Sequence, residues 1–366
     1  MIYLSHYRTA CTTNVELFED LPYPQKVNWF PETYNRVKTG MFYVPHRLAE
    51  KVLDPALAEL IRSCPMKTAF ILASGNSHFA GINPRSHKPT ELTYEYKFLP
   101  FTLTQVYAGR TAQAFGQVEL VTTDASACAS SMKALMDVQN LIDNYGFDRV
   151  IVLSVEDAVS NSVLEFFGQA QASLLWKDEQ TGVLPSAFDE VNKGFHVGQG
   201  AVLAVFESHR VATLVRAKVL GAYSASEDST NAIGQREDGQ GFVRAMQGAM
   251  AYAKVKPEQI RIVKTHGTGT SSNNQAEKTA LETVLGDFVA TSFKPRIGHT
   301  MGASGLLETC LLLDNLRNGI VPKIDNRTGH DGRYLSEDAN NPGGLIMSLA
   351  AGMGNIYSAA VLSAEI

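Results

Sequence analysis

Twice in this chain a β-prone segment runs through a patch of small residues into a helix too apolar to face water. The first run is Gln117 to Thr122, then Ala127-Cys128-Ala129-Ser130-Ser131, then a helical pattern. In that helix Met132, Leu135 and Met136 share one face, Ala134, Val138 and Leu141 cover a second, and Lys133, Asp137, Asn140 and Asn144 leave a narrow polar stripe. The second run is Thr291 to Arg296, then Gly298-His299-Thr-Met-Gly-Ala-Ser-Gly305, then Leu306 to Leu316, which is almost wholly apolar. Strands that alternate with helices imply an α/β fold. The recurrence predicts two related halves packed on each other. We place the midpoint in the polar, glycine-containing stretch Ser224–Gly239, so the halves are 1–225 and 226–366. The likeness between them is one of pattern, not of residue identity.

Other periodicities fill in the order. Ile2–Tyr7 reads as a first strand, Phe18–Tyr43 as loops and turns, Leu48–Arg62 as an amphipathic helix and Lys67–Ser74 as a strand. His78–Lys97 reads as a polar surface excursion, and Thr102–Phe115 as a helix. Arg149–Val155 reads as a buried strand and Val163–Trp176 as helical. Phe195–Phe206 and Ala212–Tyr223 carry a hairpin signature. Helices at Phe242–Lys254 and Asn274–Leu285 flank a strand at Gln259–Thr265, and strands at Gly344–Leu349 and Ser358–Leu362 close the chain.

Composition excludes several classes of function. With 45% hydrophobic and 19% charged residues over 366 positions, the chain can bury a large core in water. A net charge of -5, with no basic run, argues against nucleic acid as a partner. Apolar runs such as Ala201–Phe206 are too short to span a membrane, and Met1-Ile-Tyr-Leu-Ser-His lacks a signal-peptide pattern. The four cysteines, Cys11, Cys64, Cys128 and Cys310, stand far apart, which indicates neither a disulfide framework nor a zinc site and makes a reducing cytoplasm the expected location.

Four strings carry chemistry. Cys128 falls at a strand-to-helix turn, where the positive end of a helix dipole favours a thiolate and small neighbours leave room for substrate. A buried cysteine that only fills space is the competing reading. Lys264-Thr-His266-Gly-Thr268-Gly-Thr270 ends a strand at a histidine, and its glycines let the backbone turn close to a ligand. Lys294-Pro-Arg-Ile-Gly-His299 sets a second histidine among residues too small to fill the space around it. Nine residues on, Glu308 lies in the apolar helix and needs a partner, for which Lys294 is the candidate. A purely structural ion pair explains those two residues equally well. Ala351-Gly352-Met353-Gly354 has a backbone able to offer N–H groups to an anion.

Taken in order, these strings resemble the β-ketoacyl synthases, the condensing enzymes of fatty-acid and polyketide synthesis. The resemblance covers Ala127-Cys128-Ala-Ser-Ser, Phe188-Asp189 with Gly194-Phe195-His-Val-Gly198-Gln-Gly200, His266 to Thr270 with Asn273 and Glu277, and Lys294 to Gly305, and so most of the chain from about Phe98 onward. It implies a thiolase-like fold, layered αβαβα and made of two pseudo-duplicated halves. It implies a decarboxylative Claisen condensation between an acyl thioester on Cys128 and malonyl carrier protein. The N–H groups of Cys128 and Met353 would form the oxyanion hole, and His266 and His299 would bind the malonyl thioester carbonyl. Lys294, paired with Glu308, would hold His299, while Thr268, Thr270, Met353 and Gly354 would contact substrate. No metal or dissociable cofactor is implied, since the substrates ride on the phosphopantetheine of acyl carrier protein.

The histidine pair favours an elongating synthase. Initiating relatives carry asparagine where His299 stands, and thiolases carry a second cysteine. Where relatives read Gly-Phe-Gly-Gly-Thr-Asn, this chain has Gly352-Met-Gly-Asn-Ile-Tyr357, so the gate to the acyl pocket is the thinner Met353. The implied assembly is a homodimer, or a heterodimer with a related chain-length-factor subunit. A chain-length factor lacks the nucleophile, and retention of Cys128 argues for the catalytic partner. A cysteine thioesterase or acyltransferase is a third reading, one that leaves both histidine strings without a role.

Overall fold

The computed structural model describes residues 1–30, 48–75, 103–189, 191, 193–229, 231 and 233–365. The surface excursion expected at His78–Lys97 lies outside the described residues. The strands are β1 (Ile2–Ala10), β2 (Val15–Phe18), β3 (Gln25–Asn28), β4 (Thr68–Ala73), β5 (Leu120–Asp124), β6 (Arg149–Asp157) and β7 (Val197–Ser208). They continue with β8 (Ala217–Ser226), β9 (Ile260–Lys264), β10 (Val289–Thr291), β11 (Ile320–Val321), β12 (Ala339–Asn340), β13 (Leu345–Gly352) and β14 (Ile356–Ala364). The helices used below are α1 (Pro55–Ser63), α2 (Thr104–Ala112), α3 (Ser130–Asp143), α4 (Asn161–Gln169), α5 (Trp176–Glu179), α6 (Gln240–Ala253), α7 (Ser271–Val284), α8 (Lys294–Ile297) and α9 (Ser304–Arg317).

The main path of the large sheet runs β10-β9-β13-β14-β8-β1-β7-β6-β4-β5. Read outward from its centre, it repeats itself. β1 is antiparallel to β7, β7 is antiparallel to β6, and β6 is parallel to β4, which is parallel to β5. On the other side β8 is antiparallel to β14, β14 is antiparallel to β13, and β13 is parallel to β9, which is parallel to β10. The strand feeding α3 and the strand leading to α9 are therefore topological equivalents.

Strand alternation makes the layers. On β4, Ala69, Ile71 and Ala73 join one apolar cluster with Met132 and Leu135 of α3 and Leu306, Leu312 and Leu313 of α9. Phe70 and Leu72, the intervening residues, pack with α1 and α2 on the opposite face. In the other half Ile346 and Ala350 of β13 join the first cluster, while Met347 and Leu349 pack with α6 and α7. So α3 and α9 form a middle layer between two sheet halves, and further helices cover the outer faces. This burial is what their nearly stripe-free patterns require.

Four expectations need correction. β7 and β8 are not a hairpin, because β1 lies between them and pairs Ile2–Leu4 with Val219–Ala217 while running along β7 from Ser208 to Ala201. Phe18–Tyr43 is not all loop, since β2 and β3 pair antiparallel and β3 adds to β7. The helix read at Leu48–Arg62 restarts at Pro55, capped by the Asp54 side chain, which accepts from Ala56 N and Leu57 N. The strand expected at Thr291–Arg296 ends at Thr291, and Lys294 opens the short helix α8.

Candidate active site

Each half delivers its chemistry on a turn just before its middle-layer helix. Ala127–Ala129 forms a 3₁₀ turn ahead of α3, and Met301–Ala303 forms its counterpart ahead of α9. Both turns open on a non-glycine residue held at positive φ, Ala127 at 47° and Met301 at 41°. Such a conformation costs on the order of 1–3 kcal/mol and persists where surrounding contacts over-determine it. The contacts are present. Glu156 Oε2, at the end of β6, accepts from Gly75 N at 2.7 Å and from Gly302 N at 3.0 Å, fastening β4 to the second turn. Gly302 has no room for a side chain, since a Cβ there would lie 2.5 Å from Gly75 N. At the end of β13, a Cβ on Gly352 would lie 2.6 Å from Ser126 O and 3.3 Å from Cys128 N. Glycine at 352 thus lets the β13–β14 turn, with Met353, approach the elbow.

Cys128, His266 and His299 line one cavity of about 520 Å³. The cavity also takes Phe167 and Phe195 on its apolar side and Thr268, Thr270 and Met353 at other points of its wall. The histidine rings stand 5.5 Å apart at 80°, and Phe195 meets His299 edge-on at 4.7 Å. Thr268 and Thr270 hydroxyls are 3.0 Å apart. Gly354 sits exposed in the turn after Met353 and is not among the residues lining the cavity.

Hydrogen bonds fix both histidines. His266 N donates to Glu277 Oε1 at 2.5 Å, and Gly267 N and Asn273 Nδ2 donate to Glu277 Oε2 at 2.9 and 3.1 Å. His299 N donates to His196 O at 2.7 Å, and its carbonyl accepts from Gly198 N, a bridge that seats the turn beside β7. His299 Nδ1 lies 2.9 Å from Ser304 Oγ. Donation from that hydroxyl leaves the imidazole proton on Nε2. Burial first, and then the positive charge of Lys294, hold both imidazoles well below the usual histidine value, so both are neutral near pH 7.

Behind the histidines Lys294 Nζ donates to Glu308 Oε1 at 2.8 Å, with both side chains buried. The partnership expected from the sequence is therefore present. Four further polar residues escaped the sequence reading. Ser304 and Glu156 had no assigned part, Glu277 entered only as an extension of a string, and Lys264 was merely the first residue of one. A glutamate directly after the largely apolar run Val150–Val155 was the available signal for one of them.

The thiol itself differs from expectation. Burial, reinforced by the nearby Glu156 carboxylate, pushes Cys128 up to about 12 despite the opposing charge of Lys294. The helix-dipole argument is overridden because the thiol is buried within a 3₁₀ turn and packed 3.8 Å from Met301 Sδ. In the resting protein iodoacetamide is therefore expected to modify Cys64 first, the exposed cysteine, ahead of Cys128 and Cys310, which are buried, and Cys11, which burial raises to about 11. Peptide mapping of alkylation over time checks this order, and early labelling of Cys128 would contradict it.

Among the described residues no cluster of His, Cys, Asp and Glu could hold a metal ion, and no helix is long and apolar enough to cross a membrane. The models for "Beta-ketoacyl synthase, N-terminal domain" and "Beta-ketoacyl synthase, C-terminal domain" match residues 49–212 and 216–328. A 3-oxoacyl-[acyl-carrier-protein] synthase 2 of Synechocystis sp. is 26% identical over 240 residues, 64% of this chain and 58% of that relative. The chain spans about three-fifths to two-thirds of the length of the first curated relatives it matches. Among solved structures, the complex of a type II PKS acyl-carrier protein with its ketosynthase bound to the hexaketide is similar at TM-score 0.85 and 17% identity, covering 100% of this chain and 99% of that one. The ketosynthase ApeO in complex with its chain length factor ApeC, from Xenorhabdus doucetiae, is similar at TM-score 0.78 and 19% identity, covering 100% and 98%.

Proposed function

Because the chain belongs to the β-ketoacyl synthase family, we propose that it joins an acyl group held on Cys128 to a malonyl unit held on acyl carrier protein, with loss of CO2. One observation carries this reading: a cysteine from the first turn and two neutral histidines from the second half line the same cavity. The stretches 1–225 and 226–366 thus act as one catalytic unit.

Acyl transfer comes first. Cys128 attacks the incoming thioester, its proton leaves with the departing phosphopantetheine thiol, and the tetrahedral oxyanion is held by the N–H groups of Cys128 and Met353. Small residues at the elbow and the close approach of Gly352 support that placement. Malonyl carrier protein then binds with its thioester carbonyl toward Nε2 of His266 and His299, and Thr268 and Thr270 contact the phosphopantetheine arm. The malonyl carboxylate leaves as CO2. The enolate attacks the acyl carbonyl, and the tetrahedral adduct expels Cys128 as a thiolate that takes up one proton. Lys294 and Glu308 position His299, and Met353 and Gly354 shape the entrance from the β13–β14 turn. No dissociable cofactor takes part.

The same reading places the protein in the cytoplasm with acyl carrier protein as partner, as a homodimer or beside a chain-length-factor subunit. The ApeO–ApeC complex supports the second assembly as a precedent for the fold. Retention of Cys128 assigns this chain the ketosynthase position there. Intact-mass measurement after incubation with acyl carrier proteins of graded chain length tests the reading, with the chain alone and with its co-purifying partner. The expected result is an acyl mass on Cys128 and a 3-oxoacyl product once malonyl carrier protein is added. Release of free acid without any condensed product would favour a thioesterase instead.

A further inference from the structure

The Lys294–Glu308 pair has a third member. Lys264, the last residue of β9, is fully buried, donates from Nζ to Leu349 O at 2.6 Å, and lies 3.6 Å from Glu308 Oε2. Lys294 takes the other oxygen of the same carboxylate. Two ammonium groups therefore share one buried carboxylate, and one of them, Lys264, stands two residues before His266 in the chain. A structural ion pair needs one lysine. A second costs desolvation and leaves the triad with surplus positive charge.

We propose that Lys264 is a positioning residue that holds the free oxygen of Glu308 and sets a second positive charge behind the histidine pair, where negative charge develops in the reaction. This rests on the condensing reading above and deepens it. Three consequences follow from the geometry. Glu308 is held from both sides, so its carboxylate cannot swing away from Lys294. The surplus charge disfavours protonation of either imidazole, which keeps both rings neutral and leaves His299 Nδ1 free to accept from Ser304, with its proton on Nε2. It also lowers the energy of an enolate oxygen without touching it. The titratable groups facing Lys264 are Glu308 on α9, Lys294 on α8 and Glu277 on α7, while β13 contributes the Leu349 carbonyl. Burial lowers the lysine to about 8, partly offset by Glu308, so it is charged at pH 7 and loses that charge as pH rises through about 8. Its charge also contributes to the depressed values of His266 and His299.

The test compares Lys264→Met, which keeps volume without charge, with Lys264→Gln, which keeps a donor for the Leu349 carbonyl. CO2 release from malonyl carrier protein is expected to fall roughly tenfold in both, with acylation of Cys128 within about twofold of wild type. The wild-type rate should decline through about pH 8, and that limb should be missing in both variants. Rescue by Lys264→Gln, or an unchanged rate with an unchanged alkaline limb in Lys264→Met, overturns the proposal. Titration of the histidine ring signals by NMR reads the same charge without turnover. His266 and His299 should titrate at higher pH in both variants than in wild type, and identical titrations overturn the role. A wild type that releases no CO2 at all sinks the condensing function, while the NMR arm still decides what Lys264 does.

Discussion

His299→Ala is expected to reduce CO2 release from malonyl carrier protein by a factor on the order of 10²–10³, the loss typical when one preorganised donor to a developing oxyanion is removed. His266→Ala should behave alike, since the two rings stand 5.5 Å apart in the same cavity. Acyl transfer to Cys128 should survive both changes to within about tenfold, because the proposed mechanism gives that oxyanion to backbone N–H groups, not to imidazoles. A thioesterase built on a Cys-His pair would show the reverse, losing acylation first. The pH dependence sharpens the test. A histidine with its ordinary value near 6.5 is roughly three-quarters protonated at pH 6, so a pair with ordinary values would change charge, and the decarboxylation rate with it, across that range. Burial and Lys294 hold both rings well below that value. Decarboxylation should therefore stay flat from pH 7 to pH 6, and a half-maximal point near 6.5 would contradict the neutral pair. Radiometric CO2 capture at fixed carrier-protein concentration measures both effects.

The site was legible in the sequence because its residues sit on turns with constrained local chemistry. A small-residue elbow, glycines beside His266 and glycines beside His299 are local signals, and the structure brings all three to one cavity. The two middle helices were equally legible, since a helix with almost no polar stripe has to be covered on most sides. What could not be read was pairing at a distance. Nothing within Phe195–Tyr223 records that β1, some two hundred positions earlier, slots between β7 and β8. Two long strands joined by a short link look like a hairpin whether or not a third strand lies between them. Charge energetics were hidden for the same reason. The dipole argument for a Cys128 thiolate is local, whereas the burial and the Glu156 carboxylate that oppose it arrive from β6 and from the packing of two halves. In the sequence Lys264 is an ordinary strand-end lysine, and only the fold brings Glu308 and the Leu349 carbonyl to it.

Glu308→Ala is expected to destabilise the fold by about 3–5 kcal/mol at pH 7, because it strands buried charge. Lys294 loses a partner at 2.8 Å, and Lys264 loses the only anion within 4 Å of its Nζ among the described residues. Glu308→Gln, close in volume, should lose nearly as much, which separates charge from cavity formation. The pH dependence has a definite sign. A lysine whose folded value lies below its unfolded value near 10.4 binds fewer protons when folded, so its penalty is full at low pH and fades as pH rises between the two values. In wild type that window opens at about 8 for Lys264, where burial outweighs the attraction of Glu308. Without Glu308, whose charge raises Lys264, that lysine falls lower, and its window opens earlier and carries more free energy. Urea midpoints at pH 7 and pH 9.5 should therefore differ widely between variant and wild type at the lower pH and converge at the higher. A deficit that is constant with pH would mean that Glu308 acts through packing, and that Lys264 does not titrate in this range in the folded protein.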